Sequence, residues 1–205
     1  MENLDTLLPQ MAFLHEVDKL KYITRKTRLF HSDRHENDAE HSWHLMVMAL
    51  VLVQHANEPV DILKVLKMLL IHDLVEIDAG DTFLFDAVLN HTNTEAERKA
   101  AERIFGLLPD VQATEFIAIW EEFEAGQTAE ARYARAVDRL EPILQNVSNG
   151  GGTWKEHDIP HEKVIQKTQH IQHGSAALWD FAKAIIDKTA ESGIIRKEAA
   201  EVEQA

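Results

Sequence analysis

Val and Ile never gather into short alternating runs in this sequence; they are scattered among Ala, Leu, Glu and Lys. A half-buried strand needs apolar residues at every second position, whereas a core-facing helix needs them three and four apart. The chain therefore reads as helix after helix, and the expected fold is all-α, a single-domain helical bundle. Its 205 residues suffice for one well-filled core. No linker long enough to separate two domains is visible.

The predicted elements follow from caps and breakers. A first helix covers 4–22. The polar stretch 23–38 is rich in Arg, His, Asp and Asn and reads as a loop. Asp38 is placed as the cap of a helix over 39–56, with Leu45, Met48 and Leu52 on its buried side. Pro59 suits the first turn of a helix running to Ile77, stopped by Gly80. Thr94 and Glu97 form a capping-box pattern ahead of a helix to Gly106. Further helices are expected over 111–125, 128–148 and 161–190. The run Asn149-Gly150-Gly151-Gly152 is a break that composition reads as a flexible turn. The small and charged residues 197–205 read as a frayed tail.

Composition removes several chemistries. The chain has no cysteine, which excludes disulfides, thiolate metal sites and cysteine nucleophiles. Any metal must be held by His, Asp or Glu. The net charge of −14 repels a nucleic-acid backbone, so no nucleic-acid polymer is expected as partner. A small phosphorylated substrate stays compatible, because a metal and a few Arg or Lys can invert the potential of one pocket. No apolar run reaches membrane-spanning length, no secretory signal is seen at Met1–Leu8, and a cytoplasmic location is expected.

One string concentrates chemistry: Ile71-His72-Asp73-Leu74-Val75-Glu76. It ends the apolar stretch Val65–Val75, where adjacent ionisable side chains are costly unless paired. Glu76 lies four residues after His72 and three after Asp73, so on a helix all three approach one patch. Two residues cannot complete a metal's shell, and ligands from other helices are needed. His41, after Glu40 at the start of an apolar helix, is the upstream candidate. Asp138, in Arg135-Ala136-Val137-Asp138-Arg139-Leu140, is the downstream one. Pro142, four residues further on, cannot donate to the Asp138 carbonyl and is a possible kink. Read alone, Asp138 is a salt-bridge partner of Arg135 or Arg139, and His44 and His55 are surface or satisfied core residues.

The order His…His-Asp…Asp resembles the signature of the HD-domain metal-dependent phosphohydrolases. Glu40-His41-Ser42-Trp43, His72-Asp73-Leu74-Val75-Glu76, Gly80-Asp81 and Asp138-Arg139-Leu140 all resemble the branch that contains the bacterial 5′-deoxynucleotidases, over roughly residues 15–150. The segment from Asn149 to His157 also resembles a stretch in some of them. The resemblance implies one divalent metal, Mn, Co, Fe, Zn or Mg, on His41, His72, Asp73 and Asp138. It implies hydrolysis of nucleoside 5′-monophosphates by a metal-activated water, with Glu76 as acid/base and Asp81 beside the leaving group and sugar. Arg25 matches an arginine near the phosphate. Relatives of this kind are often homodimers, and apolar faces on the early and last helices would permit that.

The sequence departs from the branch at one place. Lys26 stands where the nucleotidases carry a tryptophan, and the stretch from Arg25 to His41 is one residue longer. Lys26 and Trp154 are retained as substrate-binding candidates, while Trp43 is assigned to the core. Two alternatives stay open. One is hydrolysis of a nucleoside polyphosphate, an alarmone or a cyclic dinucleotide, against which Ile77 counts, since hydrolases of guanosine tetraphosphate usually carry aspartate there. The other is a non-catalytic helical protein with a structural metal.

Overall fold

The computed structural model describes residues 2–86 and 93–197. Eleven α-helices and one small hairpin make up these residues. Helix α1 (Glu2–Val17) continues as a 3-10 turn over Asp18–Tyr22, close to the expected first helix. Residues 23–38 are more ordered than a loop. Strands β1 (Thr24–Arg28) and β2 (His35–Asn37) pair antiparallel, with Thr24 opposite Asn37 and Arg28 opposite His35. Thr-Arg-Lys-Thr-Arg offers no apolar alternation, so hydrophobic periodicity could not reveal it.

Helix α2 (Asp38–Leu52) is capped by Asn37 and not by Asp38. The Asn37 side chain accepts from the Glu40 amide at 3.0 Å, and the Glu40 carboxylate accepts from the Asn37 amide at 3.3 Å. Asp38 is excluded from capping because its carboxylate is fully buried against Arg25. Leu45 and Met48 are buried as expected.

Helix α3 (Ile62–Ile71) starts later than Pro59 suggested, since Asp61 accepts from Leu63 and Lys64 and fixes the first turn there. It also ends earlier. A 3-10 turn over His72–Val75 follows, then the short α4 (Glu76–Ala79). The α-helical ladder is thus interrupted at the His-Asp pair itself, the kind of tightening that marks functional positions within helices. Gly80 stops α4 with φ of 77°, a conformation a side chain would strain.

Helices α5 (Asn93–Phe105) and α6 (Asp110–Ala125) carry a second apolar cluster with α1, centred on Phe13, Ile104, Phe105 and Trp120. The capping role read for Thr94 lies outside the described side chains. The main cluster surrounds α7 (Ala129–Ser148), whose Tyr133, Ala136, Val137 and Leu140 are fully buried and whose Tyr133 hydroxyl donates to the Ala49 carbonyl. Helix α7 passes Pro142 without interruption.

The glycine run after α7 is a built turn. Asn146 accepts from the Thr153 amide at 2.7 Å and from its hydroxyl at 2.9 Å. A Cβ on Gly152 would meet that Asn146 oxygen at 2.4 Å, so only glycine fits. The Asn149 side-chain amide donates to the Leu29 carbonyl and accepts from the Ser32 amide, tying the end of α7 to the hairpin. After α8 (Gly152–Glu156), the expected helix over 161–190 is three: α9 (His161–Thr168), α10 (Ile171–Gly174) and α11 (Ala176–Glu191). Ser175 separates α10 from α11, capping α11 by accepting from the Leu178 amide while donating to the His55 carbonyl. The tail beyond Lys197 lies outside the described residues. No helix among the described residues is long and apolar enough to cross a membrane.

Candidate metal centre and active site

Three elements converge on one point. Helix α2 brings His41, the 3-10 turn brings His72 and Asp73, and α7 brings Asp138. Asp138 Oδ1 lies 3.1 Å from His41 Nε2 and 3.7 Å from His72 Nε2. Asp73 Oδ1 lies 3.1 Å from His72 Nε2. His41, His72 and Asp138 form one group of mutually close ligand atoms, and Asp73 joins them through His72 while its other oxygen accepts from Arg25 at 3.0 Å. Both histidines and Asp73 are buried.

The imidazoles are oriented for metal ligation. His72 Nδ1 donates to the Leu69 carbonyl at 3.0 Å, which turns Nε2 toward the carboxylates. His41 Nδ1 faces Glu36 and Glu141 at 3.2 and 3.3 Å, leaving its Nε2 for the same point. Buried His72 Nε2 has no hydrogen-bond partner, an orphan that a cation would satisfy. The residues present therefore fit a divalent metal.

Electrostatics agree. Burial pulls His72 down, but Asp73 and Asp138 outweigh it and push the group up to about 9. His41 is likewise lowered by burial and by Arg25, yet Asp138, Glu141 and Glu36 hold it well above the usual range. Burial raises Asp73, and His72 with Arg25 outweighs that to bring it to about 2. These shifts are the signature of a site that attracts positive charge.

A second carboxylate group adjoins the first. Asp38, Asp73 and Glu76 present oxygens within 4.8 Å of one another. Burial, with Asp73 and Asp38 nearby, pushes Glu76 well above the carboxylate range, and burial and Asp73 raise Asp38 to about 6. Arg25 runs through this group: Nη1 lies 3.1 Å from Asp38, 3.0 Å from Asp73 and 3.8 Å from Asp81, and Nε lies 3.9 Å from Glu36.

The centre opens on a cavity of about 390 Å³ whose wall includes His72, Asp73, Glu76, Asp81, Asp138 and Arg139. A narrower cavity adjoins it, sharing Arg25, Asp81 and Arg139 and extending past Lys26 and Phe83 to Trp154. The sequence candidates are thus brought together around these cavities, with one correction. Trp154 is 2% exposed and closes one wall of the narrower cavity from the core. Trp43, assigned to the core, is 64% exposed. Asp38, Glu36, His44 and Glu141 were missed. Helical spacing held the signal for two of them: His44 lies three residues after His41 and Glu141 three after Asp138, and the pair meets at 3.3 Å.

A family model described as HD domain matches residues 17–179. The chain belongs to the HD domain family. The match reaches beyond residue 150 and takes in α8, α9, α10 and the first turn of α11. Among curated proteins, the 5′-deoxynucleotidase HDDC2 of Bos taurus is 30% identical over 137 residues, covering 66% of this chain and 65% of that protein. The Homo sapiens protein of the same name is 29% identical, with 66% and 65% covered. The matched region thus spans just under two thirds of these relatives. Among solved structures, one of a "Predicted metal-dependent phosphohydrolase" from Magnetospirillum magnetotacticum MS-1 is 50% identical, with a TM-score of 0.89 over 93% of this chain and 95% of that one.

Proposed function

We propose that the protein is a metal-dependent phosphoric monoester hydrolase, acting on nucleoside 5′-monophosphates to give nucleoside and phosphate. The observation that carries this reading is the His41–His72–Asp73–Asp138 cluster opening onto a cavity large enough for a phosphate and continuing into a second, partly apolar one. The names of the HDDC2 relatives and of the Magnetospirillum structure support it. A structural metal would be coordinatively closed, whereas this centre lines open space, which favours catalysis.

His41, His72, Asp73 and Asp138 would hold the ion. A divalent metal there supplies Lewis-acid polarisation of a phosphoryl oxygen and acidifies a water. Glu76 shares the cavity with the ligands, and its raised pKa suits a group that accepts a proton from the attacking water near neutral pH. Asp81, placed by the Gly80 turn, faces both cavities and stands beside the leaving group and sugar. Arg25 fixes the positions of Asp38, Asp73 and Asp81. Lys26 and Trp154 border the second cavity, where the nucleoside would sit. The whole chain acts as one domain, in the cytoplasm. Trp43, Val47, Leu50 and Val51 form an exposed apolar face on α2, which suits a second copy of the chain.

The test is phosphate release from nucleoside 5′- and 3′-monophosphates, ribo and deoxy, with EDTA and with added Mn, Co, Zn or Mg. Release confined to 5′-monophosphates and abolished by EDTA supports the proposal. No release from any of them, with metal demonstrably bound, rejects the substrate class.

A further inference from the structure

The cavity has two walls of opposite character. On the Arg25 side Nη1 alone lies within 3.8 Å of Asp38, Asp73 and Asp81, and Nε, though without a hydrogen bond, lies 3.9 Å from Glu36, so that guanidinium is neutralised several times over. The other wall holds Arg139, Arg135 and His170. Arg135 and Arg139 lie four residues apart on α7 and share one face. Arg135 is anchored: it donates to the Phe123 and Glu124 carbonyls at 3.1 and 2.7 Å and lies over the Phe123 ring. Arg139 is not. Its guanidinium makes no hydrogen bond among the described residues, its Nε is buried without a partner, and its one ion-pair approach is 3.8 Å to Asp138. Glu124 also lines this wall and offsets part of the charge. Burial first, and then Arg139 and Arg135, depress His170 to about 4, so its ring is neutral near pH 7 and the positive charge of this wall rests on the two arginines.

We infer that Arg139, backed by Arg135 and His170, is the anion subsite that grips the phosphoryl oxygens turned away from the metal and holds orthophosphate after cleavage. The inference rests on the phosphohydrolase reading of the site. A phosphate at Asp138 and His72 lies in the same cavity as Arg139, and a buried unpartnered guanidinium is the donor such an anion requires. Arg25 is unsuited to that task, because a phosphate dianion placed against it meets Asp38, Asp73 and Asp81 as well. Arg25 is instead a positioning residue for the carboxylates.

Orthophosphate binding to the manganese-loaded protein tests this, measured by calorimetric titration at fixed ionic strength on wild type, Arg139→Met and Arg139→Lys. Arg139→Met is expected to weaken phosphate roughly ten- to a hundredfold at unchanged manganese stoichiometry, the worth of a charge-assisted bond. Arg139→Lys falls between, because it keeps the charge and loses the fork. Where Arg139→Met does not load manganese, Arg139→Gln takes its place. With substrate, KM rises more than kcat falls. Wild-type phosphate affinity in the Met or Gln variant overturns the inference, as does a wild-type holoprotein that binds no phosphate. Phosphate bound through Arg139 without release from any nucleoside monophosphate leaves the inference standing and rejects only the nucleotide assignment.

Discussion

The two walls of the active cavity are built on opposite economies of charge. Around Arg25, carboxylates outnumber the cation, and burial with neighbouring carboxylates shifts Glu76 and Asp38 toward their protonated forms. On the other wall Arg139 stands without a hydrogen-bond partner beside an anchored Arg135. The first wall is made to receive a cation and the second an anion. A metal phosphohydrolase needs both within one side chain's reach, and the difference between the walls separates the two tasks.

The largest break in this contrast comes from removing a ligand. Asp73→Ala is expected to abolish both bound metal and activity, measured by metal analysis of the purified variant and phosphate release; retained stoichiometric metal would remove Asp73 from the shell. Next is Arg25→Met, which strands Asp38, Glu36 and Asp73 without their common cation. It should cost about 3–5 kcal/mol in the metal-free protein, the usual penalty for breaking a buried pair. Denaturant unfolding measures this, and added manganese should restore part of the loss.

Glu76→Gln sharpens the comparison within one wall. It keeps the shape and the metal but cannot take a proton, so most turnover should disappear, roughly a hundredfold or more. Near wild-type turnover would place Glu76 outside the chemistry.

The fold was legible wherever periodicity and caps agree with packing, as in α6 and α7. It was less so where side chains answer to the site. Asp38 carries a capping residue's identity, yet Arg25 claims its carboxylate and Asn37 takes the cap. The helix expected through Ile77 gives way at His72, where the backbone tightens into a 3-10 turn over His72–Val75. The His…His-Asp…Asp set could be read from resemblance and from its apolar setting. The cationic wall could not: Arg135 and Arg139 carry no spacing that distinguishes them from surface charges, and only their shared cavity does.

Smaller effects follow. Metal must displace a proton from His72, which is held near 9 in the metal-free protein. Because the protonated form competes, metal affinity should fall as pH drops below 9, by roughly tenfold per unit for each proton released. Titrating metal at several pH values and counting protons checks this; pH-independent affinity would contradict it. Smallest of all, Trp43→Gln changes an exposed side chain that lines neither cavity and should change folding stability by less than about 0.5 kcal/mol. Sedimentation of the same variant reads whether the exposed α2 face joins two chains.

The amide of Asn149 ends α7 and also holds the hairpin that carries Arg25. Residues that meet there are more than a hundred positions apart in the chain. Recombination between this protein and a relative therefore has natural exchange blocks: residues 24–37 and 149–157 travel together or not at all. A chimera that exchanges only one of them inherits a hairpin fitted to another protein's turn, and Arg25 moves with it.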